Sequence, residues 1–107
     1  MHKSKFKKLN IPEKFTILDN LVRHRHKSDF CKLFSYLEDA EVQQYIKSTI
    51  ESKNCRSMSY ILHAMLAKNK SSEIHKEFKD LLSSDQNFAF DVLECSKKMY
   101  EKNYLIV

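Results

Sequence analysis

The chain has 107 residues and no glycine, where average usage would give about seven. Tryptophan is also absent, and Pro12 is the only proline. Glycine is the default wherever the backbone takes φ > 0, as in hairpin turns, bulges and phosphate-cradling loops. Its absence argues against a β-rich fold. It also removes the glycine-dependent P-loop, the dinucleotide-binding turn and the G-x-S-x-G nucleophile elbow. Long apolar runs are missing too, none approaching the roughly 18 residues of a membrane span. The basic start MHKSKFKKLNIP lacks the apolar stretch of a secretory signal, so a cytoplasmic protein is expected. Cysteine is sparse: Cys31, Cys55 and Cys95 lie 24 and 40 apart. An odd number without C-x-x-C suits free thiols, not a disulfide frame or a zinc site.

What is present reads as helix. Pro12 is a favoured first-turn residue, and Glu13 suits the positive end of the dipole. Behind them Phe15, Leu18, Leu21 and Val22 share one face. Ser28 is a cap for a helix over about 29–38 with Phe30, Leu33, Phe34 and Leu37 inward. Asp39 does the same for about 40–52, with Val42, Tyr45, Ile46, Thr49 and Ile50 inward. Over about 56–68, Met58, Ile61, Leu62, Met65 and Leu66 form the clearest stripe in the chain. Further helices are expected over about 72–83 and 85–102, the second opened by Ser84 or Asp85. Its apolar set, including Phe88, Val92, Leu93 and Met99, is broad enough for burial on more than one side.

The expected fold is therefore all-α, with about six short antiparallel helices in one domain over residues 11–107. Helix starts recur at roughly 30 residues, the scale of a helical-hairpin repeat. Two architectures fit: a compact bundle, or a short stack of three hairpins of the HEAT or tetratricopeptide kind. Residues 1–10 read as a flexible basic arm, too short for a stable helix, with Phe6 and Leu9 available to tack it down and Phe6 as the one aromatic of the basic patch expected to be exposed.

Charge is placed unevenly. Residues 1–28 hold eight Lys/Arg against Glu13 and Asp19, a net of +6. The rest of the chain carries eleven against twelve, so the whole net charge of +5 comes from the first quarter. A one-sided basic field attracts anionic partners and speeds encounter. Its densest run is Arg23, His24, Arg25, His26 and Lys27. Cations belong at a helix C-terminus, but this run holds more than the dipole requires. These five residues are the expected partner-binding site.

Catalytic chemistry finds little support in the residues. On a helix His24 and His26 point about 200° apart and share no metal. His63 and His75 lie at the edges of apolar stripes. Cys95 holds a packing position, and Cys55 beside Arg56 is the one thiol in a basic setting. The carboxylates Glu73, Glu77 and Asp80, and Asp91, Glu94 and Glu101, alternate with lysines on outer faces, the pattern of a solvated surface, with an acidic docking face as the alternative. No enzyme, metal or cofactor is therefore expected, and no membrane partner.

A helical scaffold with one charged face suits an inhibitor or adaptor that binds another protein. Its most concrete form is an immunity protein that neutralises a bacterial toxin domain by direct binding. The alternative is a small basic nucleic-acid-binding protein using the same end. That role calls for exposed aromatics or base-reading side chains, of which only Phe6 offers itself.

Overall fold

Asn10 and Glu13 open the first long helix by exchanging hydrogen bonds. The Asn10 side chain accepts from the Glu13 N–H at 2.9 Å, and Glu13 accepts from the Asn10 N–H at 3.2 Å. This reciprocal cap satisfies two N–H groups that would otherwise lack partners. Pro12 fits the first turn, where no donor is needed. In the computed structural model, which describes residues 1–67, 76, 79–81 and 83–106 and side chains as far as residue 98, six helices have defined bounds. They are α1 (Lys3–Lys7), α2 (Ile11–Arg23), α3 (Lys27–Phe34), α4 (Asp39–Glu51), α5 (Cys55–Ala67) and α6 (Gln86–Ile106). No strand occurs among the described residues. The expected helix over 72–83 lies largely outside them, along with Glu73, His75 and Glu77.

The helices form a compact bundle with extents of 36 × 35 × 25 Å. Of the two architectures open to the sequence, the closed bundle is the observed one. α5 is its axis and packs against α2, α3, α4 and α6. That central place explains which of its residues are buried. Met58 and Ile61 are fully enclosed, as the stripe requires, but so are Ser57, Ser59 and Ala64. Small residues let neighbouring backbones approach. Leu62, by contrast, is half-buried and Leu66 is 53% exposed. The expected stripe is thus corrected by rotation: a helix surrounded on several sides buries its small polar residues as well as its large apolar ones. Leu93 of α6, also expected inward, is exposed.

Aromatic rings fill the centre. Phe30 meets Tyr60 edge-on at 5.5 Å and stacks with Phe34 at 5.7 Å, the geometries that ring quadrupoles favour. Ser59 stitches α5 to α6: its Oγ lies 2.9 Å from the Cys55 carbonyl and 3.1 Å from the Val92 carbonyl.

Two N-terminal expectations need correction. Residues 1–10 include the short helix α1, and Phe6 is fully buried, not exposed. Its ring lies 6.4 Å from Tyr36 and is covered by Lys14 Nζ at 5.9 Å. Phe6 docks the segment, with half-buried Leu9 packed against the same core. Lys14 of α2 is only 6% exposed and bonds Glu41 Oε2 at 2.6 Å. Two helix starts also shift. The cap of α3 is His26, not Ser28, and the cap of α4 is Glu38, not Asp39. Asp85 caps α6 as expected, its Oδ1 accepting from the Phe88 N–H at 3.1 Å.

Candidate functional site

Two helices end in the same way, and the absence of glycine makes both endings informative. At the end of α2, the Arg25 N–H donates to the Val22 carbonyl and the His26 N–H to the Leu21 carbonyl, at 3.1 and 2.9 Å. At the end of α4, the Lys53 N–H donates to Ile50 and the Asn54 N–H to Thr49, both at 3.1 Å. This is the Schellman pattern, whose penultimate residue takes the left-handed conformation and is usually glycine. Here Arg25 (φ 61°) and Lys53 (φ 56°) occupy those positions. A side chain with Cβ costs about 1–2 kcal/mol in that conformation.

The five residues of the expected binding site all fall in or beside the first of these turns. Arg23 ends α2, His24 caps it, Arg25 sits at the apex, His26 caps α3 and Lys27 begins it. The first four are exposed and Lys27 is half-buried. The imidazoles of His24 and His26 are 6.2 Å apart because the segment is a turn, not the helix on which they would diverge. Among the described residues no group of three His, Cys, Asp or Glu could hold a metal ion. His26 Nδ1 lies 3.8 Å from Asp29 Oδ2. Arg23, Arg25 and Lys27 have no carboxylate partner among the described residues.

The fold adds residues from elsewhere in the chain. Arg56, in the first turn of α5, joins Arg25 around Tyr60. Burial pushes the Tyr60 hydroxyl above its ordinary value, while the charges of Arg56 and Arg25 pull it back. Lys27 faces His63, whose pKa is lowered first by burial and then by that lysine. The basic turn thus becomes a wider basic rim on α2, α3 and α5. Arg56 escapes a reading of the sequence because only the closure of α5 against the α2–α3 turn brings it there.

Below the rim lies an open cleft of about 620 Å³. Asp19, Val22 and Arg23 of α2 form one side, and Ser52, Lys53 and Asn54 of the α4–α5 turn another. Cys55, Arg56 and Ser57 of α5 and Cys95 of α6 complete it. Asn54 caps α5, its Oδ1 accepting from the Ser57 N–H at 3.1 Å. Lys53 forms an ion pair with Asp85, fastening the turn to the start of α6. Cys55 and Cys95, 40 residues apart in sequence, bring their sulfurs to 2.7 Å. Neither spacing nor motif predicts that pairing. A distant signal existed in the broad apolar face of α6, which has to meet more than one helix.

A small polar group supports the cleft from within. The Tyr45 hydroxyl donates to Asp19 Oδ1 at 2.7 Å. Burial, then the hydrogen bond and charge of Asp19, push the phenol far above its ordinary value, with Ser57 opposing weakly. Tyr45 therefore stays protonated and acts as a fixed donor. The Ser57 hydroxyl is near enough to influence the phenol, yet is buried without a well-formed hydrogen bond.

Compared with known proteins, the chain matches no family model, no curated protein and no solved structure.

Proposed function

We propose that this chain is a non-catalytic protein-binding module, an inhibitor or adaptor, that docks an acidic protein surface on the rim formed by Arg23, His24, Arg25, His26 and Lys27 with Arg56. Its most concrete form is a cytoplasmic immunity protein that neutralises a bacterial toxin domain by direct binding. The observation that carries the reading is Arg25. An arginine holds a left-handed position that glycine would fill at lower cost. It is exposed and lacks a carboxylate partner among the described residues. Backbone strain kept at an exposed cation suits a residue retained for a partner. The planar guanidinium of Arg can hold a carboxylate bidentately.

The same structure weakens the nucleic-acid alternative. Phe6, the one aromatic expected to be exposed within the basic patch, is buried. Lys14 is buried and paired with Glu41, so it is not free to neutralise a phosphate. No helix among the described residues is long and apolar enough to cross a membrane.

The test is an NMR titration with two probes, a glutamate-rich peptide and a single-stranded oligonucleotide of equal charge. The peptide should perturb amides at residues 23–27, Arg56 and Tyr60. The triple variant Arg23→Glu, Arg25→Glu, Lys27→Glu should abolish those changes while shifting unfolding free energy by no more than about 1 kcal/mol. Tighter binding of the oligonucleotide, with the steep salt dependence of phosphate contacts, would move the assignment to nucleic acid.

A further inference from the structure

We propose that Cys55 and Cys95 form a redox-active dithiol site in the cleft, which exchanges with anionic low-molecular-weight disulfides and closes to an intramolecular Cys55–Cys95 disulfide. The two sulfurs lie 2.7 Å apart, against about 2.05 Å in a formed disulfide. Both residues are free thiols, half-buried, and line the same open cleft. A small disulfide can therefore reach them, and neither helix has to move far for the bond to form. Arg23 and Arg56 border the approach, opposed by Asp19. That balance favours a reagent carrying carboxylates, of which the small peptide disulfide oxidised glutathione is a representative probe.

The exchange runs in two displacements. Cys55, half-buried at the start of α5 beside Arg56, loses its proton to solvent. Its thiolate attacks one sulfur of the small disulfide. That disulfide bond breaks, one small thiolate leaves and takes up a proton, and Cys55 carries a mixed disulfide. Cys95 then gives up its proton and attacks Cys55 Sγ. The mixed disulfide breaks and the second small thiol is released. Two protein thiols have been oxidised and one disulfide reduced to two thiols, so no other oxidant is needed. Burial, followed by the hydrogen bond and charge of Cys55, pushes the Cys95 thiol up. Conversion of Cys55 removes the last two influences and leaves burial, the largest. In a reducing compartment such a pair is transient and sensing, not a permanent staple.

Cys31 supplies an internal control. It is also half-buried and free, but stands on α3 outside the cleft. The experiment treats the intact protein with oxidised glutathione, quenches with an alkylating agent and maps the peptides by mass spectrometry. The expected product links Cys55 to Cys95 and leaves Cys31 alkylated. Cys95→Ser should instead accumulate one glutathionyl adduct, on Cys55. At low salt, glutathione disulfide should react about tenfold faster than cystamine, a cationic disulfide. Arg23→Glu with Arg56→Glu should erase that ratio. Three cysteines reacting at one rate, or adducts on Cys55 and Cys95 with no link between them, would overturn the dithiol site. Equal rates for the two reagents in the unmodified protein would overturn the preference for anions. The mapping on unmodified protein decides the first point even where a variant fails to fold.

Discussion

Lys14 and Arg25 both belong to the basic first quarter of the chain, yet they sit in opposite settings. Lys14 lies under the N-terminal segment, 6% exposed, bonded to Glu41 and against the Phe6 ring. Its neighbours are engaged too: Lys7 pairs with Glu38 at 3.2 Å, and Lys3 lies over the Tyr36 ring at 5.8 Å. Around Arg25 the cations face outward with no carboxylate partner among the described residues. A net of +6 read from sequence therefore divides into a part that holds the fold together and a part open to a partner. Formal charge counts both alike. Only the first should appear in stability, and only the second in association.

The sharpest way to break this contrast is to remove Lys14. Lys14→Met leaves the half-buried Glu41 carboxylate without its main partner and should cost about 1–3 kcal/mol in urea unfolding. Lys14→Met with Glu41→Leu should recover most of that loss, since an apolar pair replaces the ionic one. A neutral Lys14→Met would show that this pair does not hold the N-terminal segment.

Acid should act on the same pair next. Burial raises the Glu41 pKa. Hydrogen bonds from Lys14 and the Glu38 N–H, with the charges of Lys14 and Lys7, outweigh it and hold the carboxyl below its ordinary 4.5. A carboxyl depressed in the folded state adds stability above its unfolded value and loses it as pH falls through the folded value. Stability should thus decline below about pH 4.5, and more gently in Glu41→Gln. Denaturant unfolding at a series of acidic pH values measures both slopes.

Smaller effects sharpen the other side. Arg25→Gly relieves the left-handed conformation but loosens the unfolded chain, for a net gain of about 0.5–1 kcal/mol. The same variant should bind an acidic peptide more weakly, separating stability from association. Smallest of all is Lys7→Ala. Its pair with Glu38 is exposed on both sides, so less than about 0.5 kcal/mol should change. A larger loss would mean that burial is not what distinguishes Lys14.

The sequence carried the helices well where signals were local. Pro12 and Glu13 marked one start and Asp85 another, and the apolar face of α3 is buried as its periodicity requires, as are Tyr45, Ile46 and Thr49 of α4, with Val42 and Ile50 half-buried. Reading failed where a residue depends on something distant. The burial of Lys14 needs Glu41, which arrives only when α4 packs across α2. Five residues of α1 are too few for periodicity to register, and isolated helices of that length are unstable in water. Its order comes from tertiary contacts, chiefly the burial of Phe6. The site was half legible: residues 23–27 stood out by charge, whereas Arg56 and the meeting of Cys55 with Cys95 exist only in three dimensions. The left-handed turns were hidden because glycine, their usual marker, is absent.

Ser59 has a consequence for sliding. Its hydroxyl reaches the Val92 carbonyl across the α5–α6 contact, one turn along α5 from Cys55 and about one turn before Cys95 on α6. A slip of α6 by a single turn would displace it by about 5.4 Å along the contact. The hydroxyl would then lose that acceptor, and the two sulfurs would pass out of bonding reach. The thiol pair is therefore a gauge of axial alignment between the two helices. Cross-linking yield in Ser59→Ala or Ser59→Val would report how firmly one hydroxyl sets the position of a 21-residue helix.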